Sequence, residues 1–449
     1  MTPELSIEET TVNDADDTGL PSEPVDETPV SAPVYRDQRK RYPWWVKGVN
    51  EPTTATDWER HRRMNPERLV LDLVSRFYHG KDRAEVVRKR ANLGLPQYIG
   101  VDKTAALAKK GLARKKRWLE ENSPGFRHED WALGHAAESV QYNLGFDFYE
   151  FTAKSAFVNV CERFGLEPWK GSKLEASRKI EKAAIALGAS QVGFAQIDPM
   201  YLYEGASYPP EMKYVIVTYI RWTREGDRRR DTALGWADNR ICSSRQDFLN
   251  SALRNFIRGL GYRESVLRGP FIPYAVNAGM GELGRANRLV SPVHGMGGRI
   301  TALVTDLPLA IDKPIDFGLQ KFCGSCRKCA KACPVDALSM EKEPSWEPKG
   351  AWNNPGKRAY FEDSVKCISY MASRGTGCSL CLAACPWTKQ SKTSLHYVAK
   401  ALAAKLPSMA RAMVFLDDLF GYGPISDPEL IEKWWDLDLP EYGLDSHHR

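Results

Sequence analysis

Residues 323–334 read CGSCRKCAKACP, and residues 378–386 read CSLCLAACP. The first run sets Cys323, Cys326, Cys329 and Cys333 at the spacing C-x2-C-x2-C-x3-C, closed by Pro334. A tight loop with a cysteine at every third position turns three thiolates toward one [4Fe–4S] cubane. The fourth cysteine opens a helical turn that points away, and it ligates the other cluster. The second run supplies Cys378, Cys381 and Cys385 before Pro386. Gly375 stands where a further cysteine is expected, and Cys367, eleven residues before Cys378, is the replacement within reach. The spacing predicts two clusters with crossed ligands. Cys323, Cys326, Cys329 and Cys385 hold the first; Cys333, Cys367, Cys378 and Cys381 hold the second. Without Cys367 the second site would be a three-iron centre. A C-x2-C pair alone also suits structural zinc, but two C-x3-C-P endings favour iron and sulfide.

Eight of the ten cysteines lie between Cys323 and Cys385 in a chain of 449 residues. Dense disulfide frameworks belong to short secreted domains, so clustering inside a long chain points to metal. Cys161 and Cys242 stand apart and read as buried free thiols. Hydrophobic residues make up 43% and charged residues 27%, an ordinary globular balance. No apolar run approaches the roughly 18–20 residues that span a bilayer. The first 35 residues lack the basic start and apolar run of a secretory leader. Any membrane contact is therefore expected to need a partner. Residues 1–35 contain no Lys or Arg and read as a disordered acidic tail. The formal charge of +6 thus sits on the remainder. Its densest basic run, AKKGLARKKR at 108–117, reads as a solvated helix face rather than a nucleic-acid contact.

Residues 36–165 read as an N-terminal, mostly helical region. From Ser172 the pattern sharpens: Ser172 with Glu175 makes a capping box, Leu174, Ile180, Ala184 and Leu187 recur at helical spacing, and Gly188 ends the run. Strands are expected at 191–197, 213–220 and 299–308, and a helix from about Ser244 to Leu260. This alternation predicts a layered α/β (α+β) domain over 166–317. The cysteine region follows over 318–395, bacterial-ferredoxin-like in its spacing. Residues 396–449 form a C-terminal segment expected to pack on the body.

AGMGELGR, residues 278–285, places Gly279, Gly281 and Gly284 at G-x-G-x-x-G, with Asp306 near the distance of a ribose-binding carboxylate. A dinucleotide site needs a strand before such glycines and a long helix after them. PFIPYAV could supply a short strand, but Pro292 comes only eight residues after Gly284 and denies the helix. The glycines, extended by Gly295, Gly297 and Gly298 in HGMGGR, read instead as backbone that a bulky cofactor can approach closely.

The stretch from NAGMGELGRANRLVSPVHGMGGRITALVTDLP into FCGSCRKCAKACP resembles the catalytic subunit of corrinoid- and iron–sulfur-dependent reductive dehalogenases. RYPWWVK (41–47), EPTTATDW (51–58), FIRGLGY (256–262) and FGYG (420–423) add to the likeness. The resemblance implies a nitroreductase-like core that binds a base-off, cobalamin-type corrinoid beside two [4Fe–4S] clusters. It implies cleavage of a carbon–halogen bond at Co(I), with hydrogen replacing the halogen of a small organohalide. Gly279, Gly281, Gly284, Asn287, His294 and Gly295 become the expected corrinoid contacts. Arg299 becomes the expected catalytic residue, as halide or proton-donor partner. A low-potential electron donor and a small membrane-anchor subunit are the implied partners; the location is the outer face of the cytoplasmic membrane for a processed form, or the cytoplasm.

Two positions depart from the family pattern. Its tyrosine proton donor, counted back from Phe256, falls on Ser243, which leaves Tyr219 and Tyr274 as substitutes. Tyr370 and Met371 stand where relatives carry a tryptophan. Trp44, Trp45, Trp131, Trp387, Trp434 and Trp435 are candidates for an apolar pocket or for core. Two rival readings use the same residues: an epoxyqueuosine reductase-like enzyme acting on tRNA, and an iron–sulfur electron-carrier subunit without catalysis of its own.

Overall fold

The computed structural model describes residues 32–37, 42–70, 94–131, 133, 161, 166–389 and 394–440. The acidic tail up to residue 31 and much of the expected helical region lie outside them. Tyr35, placed at the edge of that tail by sequence, pairs with Ile311.

Strand β2 (Tyr214–Arg221) organises the core. Successive side chains of a strand point to opposite faces. Ile216 and Ile220 enter one apolar cluster, while Val215, Val217 and Tyr219 enter another. Both faces are buried, which is why the stretch is apolar almost throughout, and each fully buried Ile or Val contributes about 1.5–3 kcal/mol. β1 (Gln191–Gln196) pairs with β2, β2 with β4 (Gly298–Thr305), and β4 with β3 (Glu264–Val266). Every pairing is antiparallel, with Gln191 opposite Tyr219 and Ile220 opposite Arg299. The domain is therefore mixed helix and sheet of the α+β kind, without the parallel crossovers of a doubly wound fold.

Helix α1 (Val101–Glu120) lies in the N-terminal region, α2 (Lys173–Ala186) and α3 (Ala233–Gly259) pack on the Ile216 face, and α4 (Phe271–Asn277) packs on the other. The capping box of α2 is present: Ser172 Oγ accepts from Glu175 N at 3.2 Å and Glu175 returns the bond to Ser172 N at 2.9 Å. α3 starts eleven residues before the expected Ser244, capped by Thr232, whose hydroxyl accepts from Gly235 N at 3.1 Å. Its first turns carry Asp238, Asn239, Cys242 and Ser243 in place of an apolar stripe, so periodicity could not reveal them. Asp238, Cys242 and Ser243 are buried against polar partners instead, and Asn239 is half-buried. PFIPYAV forms α4, not a strand, because Pro270 caps the helix and Pro273 falls in its first turn, where proline is tolerated.

After α4 the chain makes a small hairpin, Glu282–Leu283 against Leu289–Val290, and no helix follows the glycines. This removes the dinucleotide reading. The cysteine region then supplies α5 (Leu319–Ser325) and α6 (Ser364–Arg374), followed by α7 (Ser394–Lys405). α1 lies along α6. The basic run of α1 is largely solvent-exposed, with Arg114 donating to Ser373 O at 3.1 Å and Lys115 over the Trp131 ring at 4.6 Å. No helix among the described residues is long and apolar enough to cross a membrane.

Candidate iron–sulfur and cofactor site

Cys323, on α5, with Cys326, Cys329 and Cys385 lines one cavity, closed by Met296, Phe322 and Trp387. The charge of Cys385 acts on Cys323, Cys326 and Cys329, and burial pushes the Cys326 thiol up to about 12. Cys333 and Cys367 both act on Cys378, which in turn acts on Cys381. Burial raises Cys367 to about 11 and Cys378 to about 12. Cys381 also acts on Cys329, so the two expected sets lie against each other. Among the described residues no three His, Cys, Asp or Glu groups converge as ligands of one ion. A cubane asks for thiolates spread around a body, not a point.

Gly375 has a local cause. It caps α6 at φ 76°, and a Cβ there would lie 2.7 Å from Gly111 O on α1. A side chain at this position meets both left-handed backbone and helix packing. Cys367, in the first half of α6, enters the second set instead.

Trp387 is fully buried and packs against Trp45, Phe317 and Phe322. Its indole N–H has no hydrogen-bond partner among the described residues. Trp44, beside Trp45, is mostly exposed under Lys405, and Trp435 is half-exposed, donating to Asp130 at 2.9 Å. The aromatic candidates thus divide between core and surface. Arg285, from the same octapeptide as the glycines, is buried and donates to Cys323 O at 3.0 Å and Ser339 O at 2.8 Å. Nothing in its sequence context distinguishes it from a surface arginine.

Arg299 lies in β4 and reaches α3, donating to Gln246 Oε1 at 3.2 Å and Asn239 Oδ1 at 3.4 Å. Ser243 is on the same helix, buried, with its hydroxyl donating to Asn239 O at 2.8 Å. α3 is continuous through this register, so the position counted from Phe256 does lie beside the Arg299 network. Cys242 is buried next to it, its thiol pushed up to about 12 by burial; Cys161 is only half-buried.

The glycines have a packing cause. A Cβ on Gly281 would lie 2.2 Å from Val290 O, and one on Gly295 2.3 Å from Thr388 N. Gly279 and Gly295 have φ of 62° and 60°. Gly284 packs on Val290, and Asn287 turns the hairpin at φ 54° while accepting from Lys357 at 3.2 Å. His294 stacks on Tyr219, with ring centres 5.5 Å apart. The Tyr219 hydroxyl is buried without a hydrogen-bond partner among the described residues, and burial holds it well above the usual phenol range. Tyr274, by contrast, donates to Asp198 O at 2.8 Å inside the core. Tyr370 donates to Asp231 at 3.1 Å. His294 and Gly297 also edge a cleft of about 430 Å³ with Arg221, Arg224, Arg228 and Lys389 and with the carboxylate of Asp227, a net cationic lining.

Two short segments divide this cleft from the thiol cavity. In one, Met296 faces the thiols while His294 and Gly297 face the cleft. In the other, Cys385 and Trp387 line the cavity while Thr388 and Lys389 line the cleft.

A fold of this kind with two sets of four thiols defines an iron–sulfur protein, and residues 322–388 match the 4Fe-4S double cluster binding domain. Residues 40–208 match the reductive dehalogenase subunit model. It is 33% identical over 243 residues to a tetrachloroethene reductive dehalogenase of Sulfurospirillum multivorans, covering 54% of this chain and 48% of that protein. It is 32% identical over 320 residues to one of Desulfitobacterium hafniense, covering 60% and 58%. The chain thus spans about half the length of these curated relatives. A solved catabolic reductive dehalogenase, 23% identical, superposes with a TM-score of 0.59 over 89% of this chain and 52% of its own, a likeness of fold. An epoxyqueuosine reductase of Cyclobacterium marinum is 30% identical over only 26% of this chain.

Proposed function

We propose that this chain is a corrinoid-dependent reductive dehalogenase that replaces a halogen of a small organohalide by hydrogen. The observation that carries the reading is the shared wall: residues 294–297 and 385–389 each face the thiol cavity on one side and the cationic cleft on the other. Electrons held at the thiol cavity are one layer of side chains from a ligand held in the cleft.

The residues fit both groups. Four buried thiols and four half-buried ones make up the soft, thiolate-forming donor set that cluster irons take. The unpartnered Trp387 N–H lies on the cavity that would hold an accepting sulfide. The cleft's arginines and lysine suit the amide carbonyls and phosphodiester at a corrinoid's rim, and the orphaned Tyr219 hydroxyl stands beside it. We read the sheet with α2, α3 and α4 as a nitroreductase-like core carrying this group, and residues 318–395 as the electron-delivering part. His294 and Gly297 line this cleft; Gly279, Gly281, Gly284, Asn287 and Gly295 do not, and their assignment as corrinoid contacts rests on the family resemblance alone. A bound corrinoid supplies low-valent cobalt, able to cleave a carbon–halogen bond reductively.

The chain's own residues do the rest. Cys323, Cys326, Cys329 and Cys385 hold the cluster nearer Met296; Cys333, Cys367, Cys378 and Cys381 hold the other. Tyr219 Oη keeps a proton in a buried place, and we assign it the role that Ser243, hydrogen-bonded to Asn239, is poorly suited to fill. Arg299 supplies a fixed positive charge that stabilises developing negative charge. A low-potential donor and a small membrane-anchor subunit complete the proposed partners. The partial engagement of the basic run of α1 with Ser373 and Trp131 weighs against an RNA-binding role for it.

Cofactor analysis of the anaerobically purified, reconstituted chain tests the reading. Eight irons and one corrinoid per chain are expected. Eight irons with no corrinoid uptake would leave an electron carrier and overturn it.

A further inference from the structure

Lys400, on α7, is a buried lysine with an unusual setting. Its ammonium donates to Lys389 O at 3.1 Å and Trp387 O at 3.4 Å, and the side chain is 3% exposed. Among the described residues no carboxylate pairs with it; both acceptors, and the Trp387 ring 5.9 Å from the ammonium, belong to the segment that directly follows Cys385. Nearby cations are differently placed. Lys328 pairs with Asp417 and Asp418, while Lys389 feels Asp417 and Asp227. Burying an ammonium against two carbonyls is unfavourable unless a counter-charge lies nearby. A cluster with four thiolate ligands carries net negative charge, and more of it once reduced.

We propose that Lys400 is a positioning charge for the cluster bound by Cys323, Cys326, Cys329 and Cys385, raising its reduction potential relative to the second cluster. This rests on the two-cluster reading above. A fixed cation stabilises the more negative, reduced form more than the oxidised one. Charge and contact both act at the Cys385–Lys389 segment, so the effect falls on the cluster that faces Met296. An electron shared by the two clusters is thereby drawn toward the cofactor side. Arg285 also lies near this cluster, but its bonds to Cys323, Ser339 and Glu341 tie the loop together, and removing it would alter more than charge.

The test is an EPR-monitored redox titration of the iron-loaded chain without corrinoid, comparing wild type, Lys400→Met and Lys400→Arg. In Lys400→Met one midpoint is expected to move to more negative potential and the other to stay, with iron content unchanged; Lys400→Arg restores the wild-type value. Where Lys400→Met does not fold, Lys400→Gln removes the charge and keeps donors for the carbonyls. Two unchanged midpoints in a variant with full iron would overturn the proposal. Wild-type chain that holds fewer than two clusters would instead overturn the two-cluster reading.

Discussion

Tyr219 carries two opposite expectations in one hydroxyl. Its oxygen is buried without a partner among the described residues, and such a group costs about 1–3 kcal/mol. Tyr219→Phe should therefore leave stability unchanged or raise it, while lowering dehalogenation at least about 100-fold if this hydroxyl gives the proton. Thermal unfolding and halide release on the same preparation separate the two; full turnover would remove Tyr219 as donor. Glu282 offers a second residue-scale test. It accepts from Thr53 and from the backbone of Phe317 and Leu319, yet burial dominates and lifts its carboxyl from 4.5 to about 7. The folded chain then holds this proton more tightly than the unfolded chain. Its contribution is fully present below pH 4.5, is lost as pH rises through 7, and is flat above. The limb is worth on the order of 3 kcal/mol, and urea unfolding of Glu282→Gln should lack it.

Between elements, the seam of β4 and α3 and the hairpin after α4 carry most of the design. Arg299 joins strand to helix through Gln246 and Asn239. Arg299→Ala should retain both clusters and lose about 100- to 1,000-fold in turnover; unchanged kinetics with normal cofactor content would make it a structural tie. In the hairpin, Gly281 lies against Val290 O, where an added Cβ would stand 2.2 Å away. Gly281→Ala should lower stability by about 1–3 kcal/mol, read by thermal unfolding, even with no cofactor present. That outcome would assign the glycine spacing first to chain packing. An effect seen only on corrinoid binding would restore the direct-contact reading.

At the scale of the molecule, what the sequence revealed depended on how local the signal was. Cysteine spacing is local chemistry, and residues 322–388 do match a double-cluster domain. The capping box at Ser172 and the apolar strand at 214–221 are local too. The front of α3 escaped because its buried face is polar, with Asp238 paired to Arg230 at 3.0 Å across a turn of chain. α4 escaped because a short apolar run reads as a strand, and its prolines, which limit a strand, are tolerated at the cap and first turn of a helix. Arg285, Trp387 and Lys400 gain their meaning only from what folds around them, as does Gly375, which packs on Gly111.

The central claim is that cluster-held electrons and a corrinoid-side cleft meet across residues 294–297 and 385–389. Halide release from alkyl, vinyl and aryl halides by the corrinoid- and iron-loaded chain, with a low-potential donor, tests it directly. The expected result is halide and hydrogen-substituted product in equal amounts from at least one class. Fully loaded protein that releases no halide from any class would contradict it.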